Sequence, residues 1–102
     1  MKATSQKQKD AAQALRKLVP LVSYADSVDI LTATRQPQMR NLVSVDAVFL
    51  ATVAHIRHVY TDYDNLLTEG YDHDSARHFV TDQINAVLQD WGASRGVDKD
   101  FH

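Results

Sequence analysis

The stretch Val45–Tyr60, VDAVFLATVAHIRHVY, is the most apolar helical run in the chain, and its reading decides the fold. At about 100° per residue, Val45, Val48, Phe49, Thr52, Val53, Ile56, Val59 and Tyr60 fall on one broad face. Ala47, Ala51 and Ala54 lie beside or opposite that face and are small enough to admit a second helix closely. A helix this apolar needs companions, and the flanking sequence supplies them.

Upstream, Ala11, Ala12, Leu15, Leu18 and Val19 recur at helical spacing within Ser5–Val19, with Ser5 as N-cap and Pro20 as the stop. A second helix is predicted over Ser23–Thr34, with Val28, Leu31 and Tyr24 on its inner face, ending before Gln36-Pro37. Ser44 is placed to cap the helix that follows. Downstream, Thr61 offers a fresh N-cap with Asp64 in the capping-box position. A short helix over Asp62–Thr68 then ends at Gly70. Asp72 caps a last helix over His73–Trp91, whose Ala76, Phe79, Val80, Ile84, Val87, Leu88 and Trp91 form a continuous stripe closed by Gly92. Residues 1–4 and the tail Ala93–His102 are predicted to fray. The expectation is one all-α domain over residues 1–102, of four to five helices. It has a helix-turn-helix junction near residues 60–73, and its two longest helices pack as a core pair.

Composition agrees. A chain of 102 residues, 44% hydrophobic, suits one core and not two. Three glycines and two prolines are too few for an all-β design. Without cysteine there are no disulfides or thiolate metal sites, which suits the cytoplasm. No apolar run approaches the roughly 20 residues that span a bilayer, and the lysines of MKATSQKQKD have no apolar stretch behind them, so no secretory signal is expected. Charge is uneven: residues 1–44 carry seven Lys/Arg against three acids, whereas residues 45–102 carry four against ten. The basic half suits phosphate or an acidic partner, but seven cations over 44 positions make no dense patch. The two halves also complement each other within one fold or a dimer.

Unusual chemistry gathers in Ala54–Val80, AHIRHVYTDYDNLLTEGYDHDSARHFV, which holds four of the five histidines and three of the four tyrosines. His55, His58 and Asp62 share an i, i+3, i+7 relation, which lines them on one flank if the helix runs through Thr61, and are ligand types suited to Zn²⁺ or Fe²⁺, with a further ligand or an open position needed. The plainer alternative gives His58 a helix C-terminus to stabilise and His55 an ordinary hydrogen bond. The acids Asp62, Asp64, Glu69, Asp72 and Asp74 do not fit a calcium loop in either register, because the required glycine and glutamate are missing. Helix capping accounts for most of them. Asp74 is spaced to meet Arg77 and His78, and Arg57 to fasten the acidic turn. Tyr60, Tyr63 and Tyr71 are expected to bury their rings and bond their hydroxyls. There is no cysteine nucleophile, serine elbow or phosphate-cradling glycine loop, so an enzyme is the minority reading.

The HxRHxxTDYDxLL core, His55 to Leu67, continued by NAVLQDWG, resembles the domain-of-unknown-function family 2293, small proteins found mainly in bacteria. The likeness runs over about residues 53–92 within a family-like region of about 45–92, and residues 1–44 match nothing nameable. It implies a mainly helical domain and places any shared site on His55, Arg57, His58, Thr61, Asp62, Tyr63, Asp64, Tyr71, Asp72 and Arg77, to which His78 is added from the local pairing. It brings no activity, cofactor or partner. The leading expectation is a binding or interaction module using the junction at residues 55–78, meeting a protein partner as a monomer or homodimer. Nucleic-acid binding through the basic half and a metal-dependent enzyme on His55, His58 and Asp62 are the alternatives. No cofactor is predicted beyond that divalent metal.

Overall fold

A computed structural model describes residues 5–98. In chain order it contains α1 (Gln6–Leu18), α2 (Tyr24–Ala33), a 3-10 turn (Pro37–Met39), α3 (Ser44–Tyr60), α4 (Tyr63–Thr68) and α5 (His73–Asp90), with no strand among the described residues. The all-α expectation holds.

Local signals set most of the boundaries. Ser5 opens α1 with a reciprocal capping box, its hydroxyl accepting from the Gln8 N–H while the Gln8 side chain accepts from the Ser5 N–H. Asp72 opens α5 by accepting the Ser75 N–H at 2.7 Å. Helices α4 and α5 both end in the left-handed glycine turn, at Gly70 (φ 104°) and Gly92 (φ 85°). In each, paired 6→1 and 5→2 hydrogen bonds close the last carbonyls. Gly92 also lets the α1–α2 connection approach, since a Cβ there would lie 3.1 Å from Pro20, beside the Leu21 N–H bond to the Trp91 carbonyl.

Helix α3 is the post around which the others assemble, in contact with α1, α2, α4 and α5. Its buried set is Ala47, Val48, Phe49, Ala51, Thr52, Val53 and Ile56. The burial therefore takes in the alanine flank as well as the predicted apolar face. Val45, Val59 and Tyr60, at its two ends, are exposed instead, because the partner helices cover its middle turns. Against α3 pack Leu15 and Val19 from the α1 region, Ile30 from α2, and Ala76, Val80, Ile84 and Leu88 from α5. Burial of each full-sized aliphatic chain contributes roughly 1.5–3 kcal/mol.

Several expectations change. On α2 the buried side chain is Ile30, while Tyr24 is 85% exposed and Val28 also faces solvent. The true inner face follows Asp26, Ile30 and Ala33 and so contains a carboxylate, which hides it from an apolar count. Phe79 lies outside the α5 stripe at 58% exposure, and the buried Thr81 takes a place on the inner face. Ser44 is the first helical residue of α3; Val43 holds the cap position without a side-chain bond. Thr61 serves α3 as C-cap, and Asp62 takes the N-cap position of α4. The first part of the tail is fastened: Val97 is buried and its N–H and C=O both bond the Asn85 amide, at 2.8 and 2.7 Å. Fraying predicted for residues 1–4 and 99–102 lies outside the described residues.

Thr52 is fully buried in α3 and its hydroxyl has no hydrogen-bond partner among the described residues. A buried hydroxyl left unpaired costs about 1–3 kcal/mol. Thr52→Val keeps the branched shape without that cost and is expected to stabilise the fold by about 1 kcal/mol, read as a higher urea midpoint at unchanged slope.

Candidate functional site

The last turns of α3, the first turn of α4 and the first turn of α5 converge on one aromatic ring. Tyr63 is 3% exposed, the one buried tyrosine of the junction. Its N–H bonds the Thr61 hydroxyl, which in turn donates to the Arg57 carbonyl, so the α3–α4 corner is locked by Thr61. The Arg57 guanidinium lies over the Tyr63 ring at 5.4 Å. His58 meets the ring edge-on at 5.4 Å, and the Tyr63 hydroxyl is hydrogen-bonded to His73 Nδ1 at 2.8 Å.

Around this centre the acids have separate tasks. Asp64 Oδ1 accepts from His58 Nδ1 at 2.9 Å in an exposed pair, a type worth about 0–1 kcal/mol. It does not complete a capping box with Thr61. Asp62 exchanges hydrogen bonds with the Gln83 side chain, its N–H at 3.2 Å and its Oδ2 at 3.4 Å, tying α4 to α5. Asp72 caps α5, and the Ser75 backbone bond holds its carboxyl below the usual range. Tyr71 is exposed and meets Phe79 edge-on at 5.5 Å, with His78 against the other side of Phe79 at 5.9 Å.

His55 takes no part in this cluster. Its Nε2 donates to Asp26 Oδ1 at 2.7 Å, joining α3 to α2, and both side chains are nearly buried. Asp26 Oδ2 accepts from the Tyr60 hydroxyl at 2.7 Å and from the Ser23 hydroxyl at 2.8 Å. Tyr60 in turn stands edge-on to Trp91 at 5.6 Å, at the end of α5. Desolvation raises the Asp26 pKa, but the bonds from Tyr60, His55 and Ser23 outweigh it and hold the carboxyl below its ordinary value. The same contact, with burial, pushes the Tyr60 phenol up. Asp26 had no signal in the motif-bearing stretch, being 29 residues before His55; only the i, i+4, i+7 series Asp26, Ile30, Ala33 marks its face.

The expected metal trio is thus directed to three different partners: His55 to Asp26, His58 to Asp64, Asp62 to Gln83. Among the described residues no three His, Cys, Asp or Glu side chains gather as a metal would require.

Arg57 and Arg77 behave differently. Each is half-buried, each has a buried Nε without a hydrogen-bond partner, and neither has a carboxylate within ion-pair distance among the described residues. Arg77 stands one turn beyond His73 on α5, near enough to Arg57 for the two charges to repel. Burial lowers the Arg57 pKa and the Arg77 charge lowers it further, while Tyr63 opposes both.

A family model described as "Uncharacterized conserved protein (DUF2293)" matches residues 14–92. The likeness therefore reaches back through α2 and into α1, well beyond residues 53–92, and takes in Asp26. No curated protein and no solved structure matches the chain. Among the described residues no helix is long and apolar enough to cross a membrane.

The Asp26 linkage has a definite sign. A carboxyl whose folded pKa lies below its unfolded value of 3.8 stabilises the fold above that pH and loses the contribution as pH falls through the folded value. Urea midpoints of the wild type are expected to drop as pH falls below about 4. Asp26→Asn should be destabilised by roughly 1–3 kcal/mol at neutral pH, with a shallower acid slope. An unchanged slope would remove Asp26 from the linkage.

Proposed function

We propose, from the premise that the chain belongs to the DUF2293 family, that it is a small helical binding module engaging an acidic segment of a protein partner at the junction of residues 55–78. The observation that carries this reading is the Arg57/Arg77 pair. Two like charges, half withdrawn from water and with no ion-pair partner among the described residues, are a costly arrangement. Buried cations are ordinarily paired, and an arginine fork fits a carboxylate with two parallel bonds. The local acids are engaged elsewhere: Asp64 with His58, Asp62 with Gln83, Asp72 with the α5 N-terminus. A carboxylate from outside would relieve the repulsion and satisfy open donors at once.

The exposed Tyr71–Phe79 step at the start of α5 adds an aromatic anchor of the kind that carries protein interfaces. The surrounding region disfavours nucleic acid, since residues 45–102 carry ten acids against four Lys/Arg and would repel phosphate chains. A cytoplasmic setting accords with the cysteine-free composition.

The test is a titration of ¹⁵N-labelled protein with a short oligoglutamate peptide at low salt, following the arginine Nε–Hε signals. Arg57 and Arg77 are expected to shift saturably, and Arg77→Gln to weaken binding by about 1.5–3 kcal/mol, the range for a hydrogen bond to a charged group. The same variant should keep or slightly raise the urea midpoint, because it removes a repulsion. If Arg57 and Arg77 respond no more than Arg16, or if Arg77→Gln unfolds the domain, the pair is structural and the proposal fails.

A further inference from the structure

At the other end of α3 lies a half-open cleft of about 310 Å³, between the first turns of α1 and α3, the end of α2 and the loop before the 3-10 turn. The volume is near the lower end of the range for small-molecule sites, roughly 300–1,000 Å³. Small side chains create it. Ala11 and Ala12 on α1 and Ala47 on α3, with Leu31 of α2, leave an apolar floor. The charged lining is of one sign: Lys7, Arg35 and Arg40 contribute to it and, among the described residues, no acid does.

The polar groups of the rim sort into two kinds. Ser5 and Gln8 are engaged in capping α1, and the Thr34 hydroxyl bonds the Leu31 carbonyl. Lys7 Nζ donates to the Arg40 carbonyl at 2.6 Å, which ties the loop to α1 and fixes where Arg40 sits. Arg35 and Arg40 have no ion pair among the described residues. The cleft thus combines an apolar floor, a fastened mouth and two uncommitted guanidiniums.

We propose that this cleft binds a small amphiphilic anion, a carboxylate or phosphate on a short apolar body. Arg35 and Arg40 hold the headgroup, and the body lies against Ala11, Ala12, Leu31 and Ala47. Charge complementarity selects the sign of the headgroup, since arginine forks match carboxylate and phosphate alike. The apolar floor selects a ligand with a hydrophobic part, and the enclosed volume limits it to a small one. A nucleic-acid chain satisfies the rim but leaves the floor uncovered. The site stands apart from the junction: Ala47 and Arg57 are ten positions apart on one helix, about 15 Å along its axis.

The experiment is an NMR titration of the full chain with octanoate and with octyl phosphate, alongside 1-octanol, inorganic phosphate and oligothymidylate. Saturable shifts centred on Ala11, Ala12, Leu31 and Ala47 are expected with the amphiphilic anions, and the tighter of the two identifies the headgroup. The Arg35→Gln/Arg40→Gln double variant should weaken binding about tenfold or more. Ala12→Leu, which fills the floor, should abolish it, and Arg77→Gln should leave it unchanged. The inference is overturned if neither amphiphile saturates, if octanol binds equally well, if phosphate or oligothymidylate binds as tightly, or if the double variant binds like wild type.

Discussion

Helix α3 packs against α1, α2, α4 and α5, and a helix buried that way keeps most of its polar side chains where a partner meets them, Thr52 being an exception. His55 is met by Asp26 from α2, and Thr61 closes the C-terminal corner on the Arg57 carbonyl. These bonds determine how the other helices sit. The Asp26 carboxylate collects three donors, from His55, Tyr60 and Ser23, and through Tyr60 it reaches Trp91 at the end of α5. At α3's last turns, Tyr63 gathers Arg57, His58 and His73 around one buried ring. Apolar burial supplies the bulk of the stability, while these two polar knots fix the angles at which α2, α4 and α5 meet the post.

The fold was largely legible because its signals are local. Ser5, Asp72, Gly70 and Gly92 announce helix ends through chemistry that depends on neighbours within five residues. What stayed hidden depends on distance in sequence. The partner of His55 lies 29 positions away, and the inner face of α2 includes the carboxylate that meets it. Counting apolar residues therefore favoured Tyr24 and Val28, which face solvent. Helix spacing put His55, His58 and Asp62 on one flank, but α3 ends at Tyr60 and the extended Thr61 carries Asp62 onto α4. Spacing is also silent about what stands opposite each of them. The C-terminal tail misled in the same way: its small polar residues read as loose, while Asn85 on α5 holds Val97 by both backbone groups.

The uneven charge of the two halves acquires a spatial meaning in the fold. The cations of the first half include Lys7, Arg35 and Arg40, which meet around one cleft although 33 positions separate Lys7 from Arg40. The acidic second half keeps its arginines few and places one, Arg95, against the Phe49 ring at 3.5 Å. Arg57 and Arg77 stand together where nearby carboxylates are otherwise engaged. A field that is acidic overall with one cationic centre accords with the acidic partner proposed above and would repel one carrying many phosphates.

Density of histidine, tyrosine and aspartate first drew attention to residues 55–78, but density alone does not separate a site from a support. Counting partners does. His55, His58, His73 and Tyr63 each have one, at 2.7 to 2.9 Å, as structural groups should. Among the described residues neither Arg57 nor Arg77 has an ion-pair partner and the Nε of each is unbonded, although Arg57 sits over the Tyr63 ring. Asp64 directly follows Tyr63, and its carboxylate is given to His58, an exposed pairing of small value, and not to Arg57. That allocation accords with the proposal above, in which the arginines are held open for an anion that the described residues do not provide.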